Sequence, residues 1–177
     1  MDVANLNYLV ALGSVAMQIA AVVLVLVFAL RKKVPMLNDI ATQVGNLGLW
    51  AAFAVAFFAS AMTLYYESLG FEPCPLCWWQ RVFLYPQVAM LAMVLWCGRY
   101  RLAAIDFSIA FSVIGAAIAL YHHALQMLPG SGLPCPATGV SCAQRIFFEF
   151  GYMTYPLMAF SAFAFLIAVL LIARSRQ

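Results

Sequence analysis

Five long apolar runs, separated by short polar or Gly/Pro-rich stretches, set the outline of the chain. They cover residues 9–30, 47–66, 78–96, 102–121 and 155–173. A helix needs roughly 20 predominantly apolar residues to cross the hydrocarbon core of a bilayer, so the pattern predicts five transmembrane helices. The first run has no basic residue before it, is too long for the apolar stretch of a secretion signal, and is followed by Arg31-Lys32-Lys33. It therefore predicts a retained span and not a cleaved leader. Gly70 with Pro73 and Pro75 breaks the chain after the second run, and Pro129-Gly130-Ser131-Gly132 with Pro134 and Pro136 breaks it after the fourth. Pro86 falls inside the third run and predicts a kink. Residues 145–150, rich in Phe, are too few to span and predict an aromatic piece lying in the membrane interface before Pro156. Trp50, Trp78, Trp79, Trp96 and Tyr155 fall near the ends of spans, where an aromatic belt sits.

Composition narrows this to an all-α integral membrane protein. Of 177 residues, 67% are hydrophobic and 8% charged, against about a quarter charged in soluble domains. The expected architecture is a four-helix transmembrane bundle (helices two to five) plus one additional N-terminal transmembrane helix. The division is residues 1–46, the added helix with a cytoplasmic loop, and residues 47–177, the bundle. A net charge of +3 with no basic patch interleaved with aromatics argues against nucleic-acid binding. The placement of cations gives an orientation. Five alternating spans put Arg31, Lys32, Lys33, Arg99, Arg101, Arg174 and Arg176 on one side and only Arg81 and Arg145 on the other. The N-terminus is then outside and the C-terminus in the cytoplasm. Cys74, Cys77, Cys135 and Cys142 face out, while Cys97 lies at the cytoplasmic end. This partition played no part in setting the orientation and suits thiol chemistry in an oxidising compartment.

Cys74-Pro-Leu-Cys77 is a C-x-x-C pair at the start of the third span, with Arg81 one helical turn beyond. As a staple it would stabilise by only about 2 kcal/mol and would fasten a loop to itself. Thiol–disulfide exchange suits it better, because one thiolate attacks while the other resolves. The helix dipole and Arg81 at i+4 are expected to favour a thiolate at Cys77. Arg81 alone would read as a side chain snorkelling to the headgroups. Cys135 and Cys142 enclose six residues in the outer Gly/Pro-rich loop. They form either a local staple of about 2.5 kcal/mol or an exchange pair on a segment that a partner can reach. A four-cysteine zinc site has suitable spacing but is opposed by an oxidising compartment. A c-type haem site is excluded because Trp78, not histidine, follows Cys77. His122 and His123 lie at the outer end of the fourth span, where a proton donor would serve reduction of a lipid-soluble acceptor. Glu67, Glu72, Glu149 and Asp106 read as interfacial charges and Cys97 as an inert thiol.

The run Cys74-x-x-Cys77-x-x-x-Arg81, the second cysteine pair in the next outer loop, and Cys142-Ala-Gln-Arg145 before the last span resemble the DsbB disulfide-formation proteins. The similarity covers residues 47–173 and is greatest to members with a short second pair. It implies a bundle in the bacterial cytoplasmic membrane that reoxidises a soluble DsbA-like thioredoxin-fold thiol oxidase. Electrons would pass to a membrane quinone, ubiquinone or menaquinone. On that resemblance Cys135 would form the mixed disulfide with the partner, with Cys142 as its mate. Cys74 would exchange with the loop pair, and Cys77 would face the quinone as a thiolate beside Arg81. The family's quinone-side histidine, counted back from the Gln and Pro that follow it, falls on His122. Two departures stand out: the additional span, and a gap between Cys135 and Cys142 shorter than in the best-known members. Gly13, Ala16 and Ala20 give the added helix a small-residue face expected to pack on the bundle. The alternatives are a vitamin-K-epoxide-reductase-like oxidoreductase, with its C-x-x-C on the last helices, a haem- or metal-binding membrane subunit, and a structural protein with two staples.

Overall fold

The computed structural model describes residues 3–98, 100–128, 134–135, 140–145 and 147–175. Arg99 and Arg176, the Pro129-Gly130-Ser131-Gly132 breaker, Pro136 and Ile146 lie outside the described residues. Five helices follow in order: α1 (Val3–Leu30), α2 (Pro35–Ser68), α3 (Pro75–Cys97), α4 (Arg101–Met127) and α5 (Tyr155–Arg174). Among the described residues the only strands are β1 (Phe148–Glu149) and β2 (Met153–Thr154), paired antiparallel with Phe148 opposite Thr154. The residues of the aromatic piece expected before Pro156 thus enter a short hairpin. They turn back through Phe150 and Gly151, both with positive φ (53° and 76°), leaving Phe148, Phe150 and Tyr152 exposed and Phe147 and Met153 buried.

Helices α1, α4, α5 and the Leu47–Ser68 part of α2 are long and apolar enough to cross a membrane. Helix α3 has 23 residues, and its polar members Gln80, Arg81 and Gln87 are buried inside the bundle. It runs unbroken through Pro86. The Gln87 amide donates to the Phe83 carbonyl (2.7 Å) and its oxygen accepts from the Ser112 hydroxyl of α4 (3.1 Å). A buried amide in hydrocarbon is tolerated only when partnered in this way.

The connection between the first two spans is not a loop over residues 31–46, as the sequence suggested. Pro35 occupies the first turn of α2, where its fixed φ suits a helix start and its missing N–H costs nothing. The 34 residues of α2 span roughly 50 Å at 1.5 Å per residue, so its first turns extend past an apolar core of about 30 Å.

Helix α5 is the centre of the packing. It lies against α1, α2 and α4, while α3 closes the ring between α2 and α4. Helix α1 packs along α5 and touches α2 only lightly. Its buried face is Ala11, Ser14, Ala21 and Val27, not Gly13, Ala16 and Ala20; Gly13 and Ala16 are exposed. Small residues occur on both sides of α1, and the amide of Gln18 decides between them by donating to the Ser161 hydroxyl of α5 (2.9 Å). At the start of α4 and the end of α5 the two helices are tied by the Asp106–Arg174 ion pair.

The Phe163 ring of α5 packs directly over Gly115 of α4. A Cβ there would lie 2.4 Å from Phe163 Cζ, and Phe163 is 1% exposed. Gly115→Ala should therefore lower stability by about 1–3 kcal/mol through overpacking. Thermal unfolding in detergent should fall accordingly, and Gly115→Ala combined with Phe163→Leu should recover most of the loss.

Candidate redox site

Cys74 is the N-cap of α3, with extended backbone (φ −70°, ψ 165°), and its Sγ accepts from the Cys77 N–H at 3.4 Å. An N-cap side chain folds over the N–H of the third helical residue, and Pro75 fixes the first helical position. A C-x-x-C sequence wound into this cap must bring its sulfurs together. They lie 3.0 Å apart as free thiols, within about 1 Å of bonding distance. Cys74 is buried and Cys77 half-buried.

His122, 1% exposed, projects from near the C-terminal end of α4 into the same place. Gln80 Nε2 donates to its Nδ1 (3.1 Å), which assigns the ring proton to Nε2. Nε2 lies 3.1 Å from the Cys142 carbonyl and 3.6 Å from Cys74 Sγ. His123 points elsewhere: its Nδ1 pairs with Thr154 Oγ1 (2.7 Å), the residue that caps α5.

Cys135 and Cys142 form a disulfide with Cα atoms 6.2 Å apart. Cys142 is fully buried and joins Cys74 and Leu125 in one apolar cluster, with Cys77 and Cys135 at its edge. The two pairs are thus neighbours, and His122 touches both. Residues 142–145 are held on the end of α4 by Gln126 Nε2 donating to the Gln144 carbonyl (3.0 Å) and Arg145 Nε donating to the Gln126 carbonyl (2.7 Å). Tyr121 Oη anchors the loop's other limb on the Pro134 carbonyl (2.7 Å). Cys74, Cys77 and His122 offer three metal-ligand atoms within 4.8 Å of one another. The four-cysteine zinc set is not assembled, because Cys135 and Cys142 are bonded to each other.

Arg81 does not snorkel outward. It is 6% exposed and turns to α2, where it donates to Glu67 Oε2 (2.5 Å) and the Thr63 carbonyl (3.2 Å), with the Trp78 ring 5.0 Å away. Glu67, read from sequence as an interfacial charge, is its counter-ion. A buried guanidinium is stable in the bundle only with such a partner. Arg81, Cys77 and His122 border one cavity of about 80 Å³, walled also by Tyr66, Tyr155 and Phe163.

The Cys74 thiol is pushed down to about 4. The hydrogen bond from Cys77 is the largest cause, burial opposes it, and His122 adds to the lowering. The cap thus favours a thiolate on Cys74, where the sequence expectation named Cys77. The cap geometry explains this, since Cys74 receives bonds from both the N–H and the S–H of Cys77.

Together, a multi-pass helical bundle with a dithiol and a disulfide packed side by side at one end is the build of a membrane thiol–disulfide oxidoreductase. Comparison with known proteins gives the family. Disulfide bond formation protein DsbB matches residues 46–173. Probable disulfide formation protein C 1 of Bacillus cereus is 38% identical over 117 residues, covering 65% of this chain and 83% of that protein. Disulfide bond formation protein C of Bacillus subtilis is 32% identical over 131 residues (73% and 94%). The probable disulfide formation protein of Metapseudomonas resinovorans is 34% identical over 131 residues (72% and 90%). No solved structure gives a significant match. The chain belongs to the DsbB family and is a membrane protein of disulfide-bond formation. The vitamin-K-epoxide-reductase-like alternative falls with this, and the C-x-x-C opens α3, not a terminal helix. Helix α1 lies outside the family match.

With a first ionisation near 4, the reduced Cys74–Cys77 pair should hold one thiolate throughout pH 5–8 and lose it only as the pH falls through about 4. Ultraviolet thiolate absorbance of the reduced protein should be flat over that range, whereas an ordinary thiol titrates near 8.5. In Cys77→Ala, which removes the side-chain donor, the transition should move upward.

Proposed function

We propose that the protein is a quinone-dependent thiol oxidase of the bacterial cytoplasmic membrane, oriented with its N-terminus and sulfurs outside and its C-terminus in the cytoplasm. It reoxidises a DsbA-like thioredoxin-fold protein. The observation that carries this reading is that Cys77 faces the same cavity as Arg81, while Cys74 packs against Cys142 on its other side. One end of the sulfur chain meets a loop, and the other meets a chamber inside the bundle.

The partner's thiolate attacks Cys135, and Cys142 leaves as a thiolate. Cys142, already beside Cys74, attacks that sulfur of an oxidised Cys74–Cys77 pair, and Cys77 leaves as a thiolate into the cavity. His122, touching the Cys142 carbonyl and the Cys74 sulfur, holds these two residues in register. The partner's second thiolate then displaces Cys135, and the Cys135 thiolate attacks Cys142 and frees Cys74. The partner leaves as a disulfide, the loop disulfide re-forms, and the reduced Cys74–Cys77 pair holds two electrons and two protons for the acceptor.

The cavity's residues fit a quinone head. Leu84, Ala159 and Phe163 give apolar walls, and Arg81 has five N–H groups of which two are committed to Glu67 and Thr63. A bound quinone supplies a two-electron, two-proton acceptor. Arg81 keeps a positive charge next to the Cys77 sulfur, which favours its thiolate, and Glu67 holds the guanidinium in place.

Purified protein with a reduced thioredoxin-fold partner and a soluble quinone tests this reading. Arg81→Ala removes a charge-assisted hydrogen bond of about 1.5–3 kcal/mol. It should raise the KM for quinone roughly 10–100-fold with little change in the KM for the partner protein. An unchanged dependence on quinone concentration would contradict the placing of the acceptor.

A further inference from the structure

We propose that the reduced Cys74–Cys77 pair and His122 form a zinc site, and that Zn²⁺ bound there arrests the exchange sequence. This rests on the reading above, in which that pair passes through a dithiol, and adds a means of regulation to it.

The donor set is in place. Cys74 Sγ, Cys77 Sγ and the His122 ring offer three ligand atoms within 4.8 Å of one another, with Cys74 Sγ 3.6 Å from His122 Nε2. Two thiolates and an imidazole suit zinc, whereas calcium and magnesium take oxygen ligands. Tetrahedral zinc, with bonds of about 2.3 Å to sulfur and about 2.0 Å to nitrogen, sets a sulfur about 3.5 Å from a nitrogen and about 3.8 Å from a second sulfur. The first spacing is met. The second asks the two sulfurs, now 3.0 Å apart, to part by about 0.8 Å. Cys77 is half-buried and borders the cavity of about 80 Å³, so it has room to turn. The same cavity has space for a water as fourth ligand, which needs roughly 10–15 Å³.

The surroundings suit the ion as well. Zinc with two thiolates and a neutral imidazole carries no net charge, as a buried site requires. Arg81, on the same cavity, is already neutralised by Glu67. Ligation through Nε2 moves the ring proton to Nδ1, where Gln80 turns its amide to accept from it. Gln126 Oε1 is buried without a hydrogen-bond partner among the described residues, on the amide whose nitrogen lies 3.5 Å from His122 Nε2. It is an acceptor for a zinc-bound water. Binding releases the protons of the dithiol and transfers no electron. The oxidised pair has no thiolate to offer, so the site exists only in the reduced state. With both sulfurs on zinc, neither can attack a disulfide or pass electrons on.

Zinc binding is measured on the full-length protein in detergent, in competition with a chromophoric chelator. Cys97, Cys135 and Cys142 are replaced by Ala so that only the pair remains. The reduced protein should take up one Zn²⁺ per chain and the oxidised protein none. Co²⁺ in its place should give the thiolate charge-transfer and visible bands of a four-coordinate site. Gln80→Leu should weaken zinc roughly 10–100-fold, as loss of an outer partner of a ligating histidine does, and His122→Ala should weaken it further. Zinc held as tightly by His122→Ala overturns the proposal, as does a reduced protein that leaves all the metal with the chelator. In a single turnover the reduced, metal-free protein should reduce a soluble quinone, and the zinc-loaded protein should do so only after chelator is added. Prompt quinone reduction with zinc bound overturns the arrest. Failure of the metal-free protein to reduce quinone overturns the quinone reading, while the zinc site is still decided by the binding measurement.

Discussion

The structure turns on one sulfur used as a helix cap. Cys74 closes the first turn of α3 by accepting from the Cys77 backbone N–H, a role usually taken by an oxygen of Ser, Thr, Asp or Asn. That choice places the second cysteine of the pair against the first and draws negative charge onto the capping atom. It also leaves Cys77 turned to the interior cavity. Helix initiation and the proposed exchange chemistry thus use the same sulfur.

The surroundings of this cap follow from its depth. At the edge of a bilayer core, polar side chains without partners are costly, and most of the polar groups near the sulfurs are fixed by another, Gln126 Oε1 being an exception. Gln80 sets the His122 tautomer, Glu67 neutralises Arg81, and Gln126 and Arg145 pin the second cysteine segment to α4. These residues do not react in the proposed relay. They hold the two sulfur pairs in one apolar cluster while the remainder of the bundle faces lipid.

The spans were legible because hydrophobic run length is a direct reading of bilayer thickness, and the C-x-x-C with Arg81 at i+4 was legible because helical periodicity puts both on one face. What escaped depends on long-range partners. Glu67 and Arg81 are 14 residues apart on different helices, and nothing local distinguishes Glu67 from an ordinary interfacial acid. The sulfur that bears the charge also went astray: dipole and cation both pointed to Cys77, but hydrogen bonds into the cap favour Cys74. The face of α1 was misread because small residues occur on two sides, and Gln18 finding Ser161 settled the matter. Gln18 itself was the available signal, since an amide inside a span requires a partner.

The central claim is that Cys142 and Cys74 exchange directly, a proposal that their shared burial in one cluster supports. The most direct measurement uses a Cys77→Ser, Cys135→Ser double variant, in which only those two outer sulfurs remain, digested after mild oxidation and analysed by mass spectrometry for linked peptides. The account predicts a Cys74–Cys142 disulfide within one chain and in nearly all molecules. Persistent free thiols, or linkage only between separate chains, would contradict it.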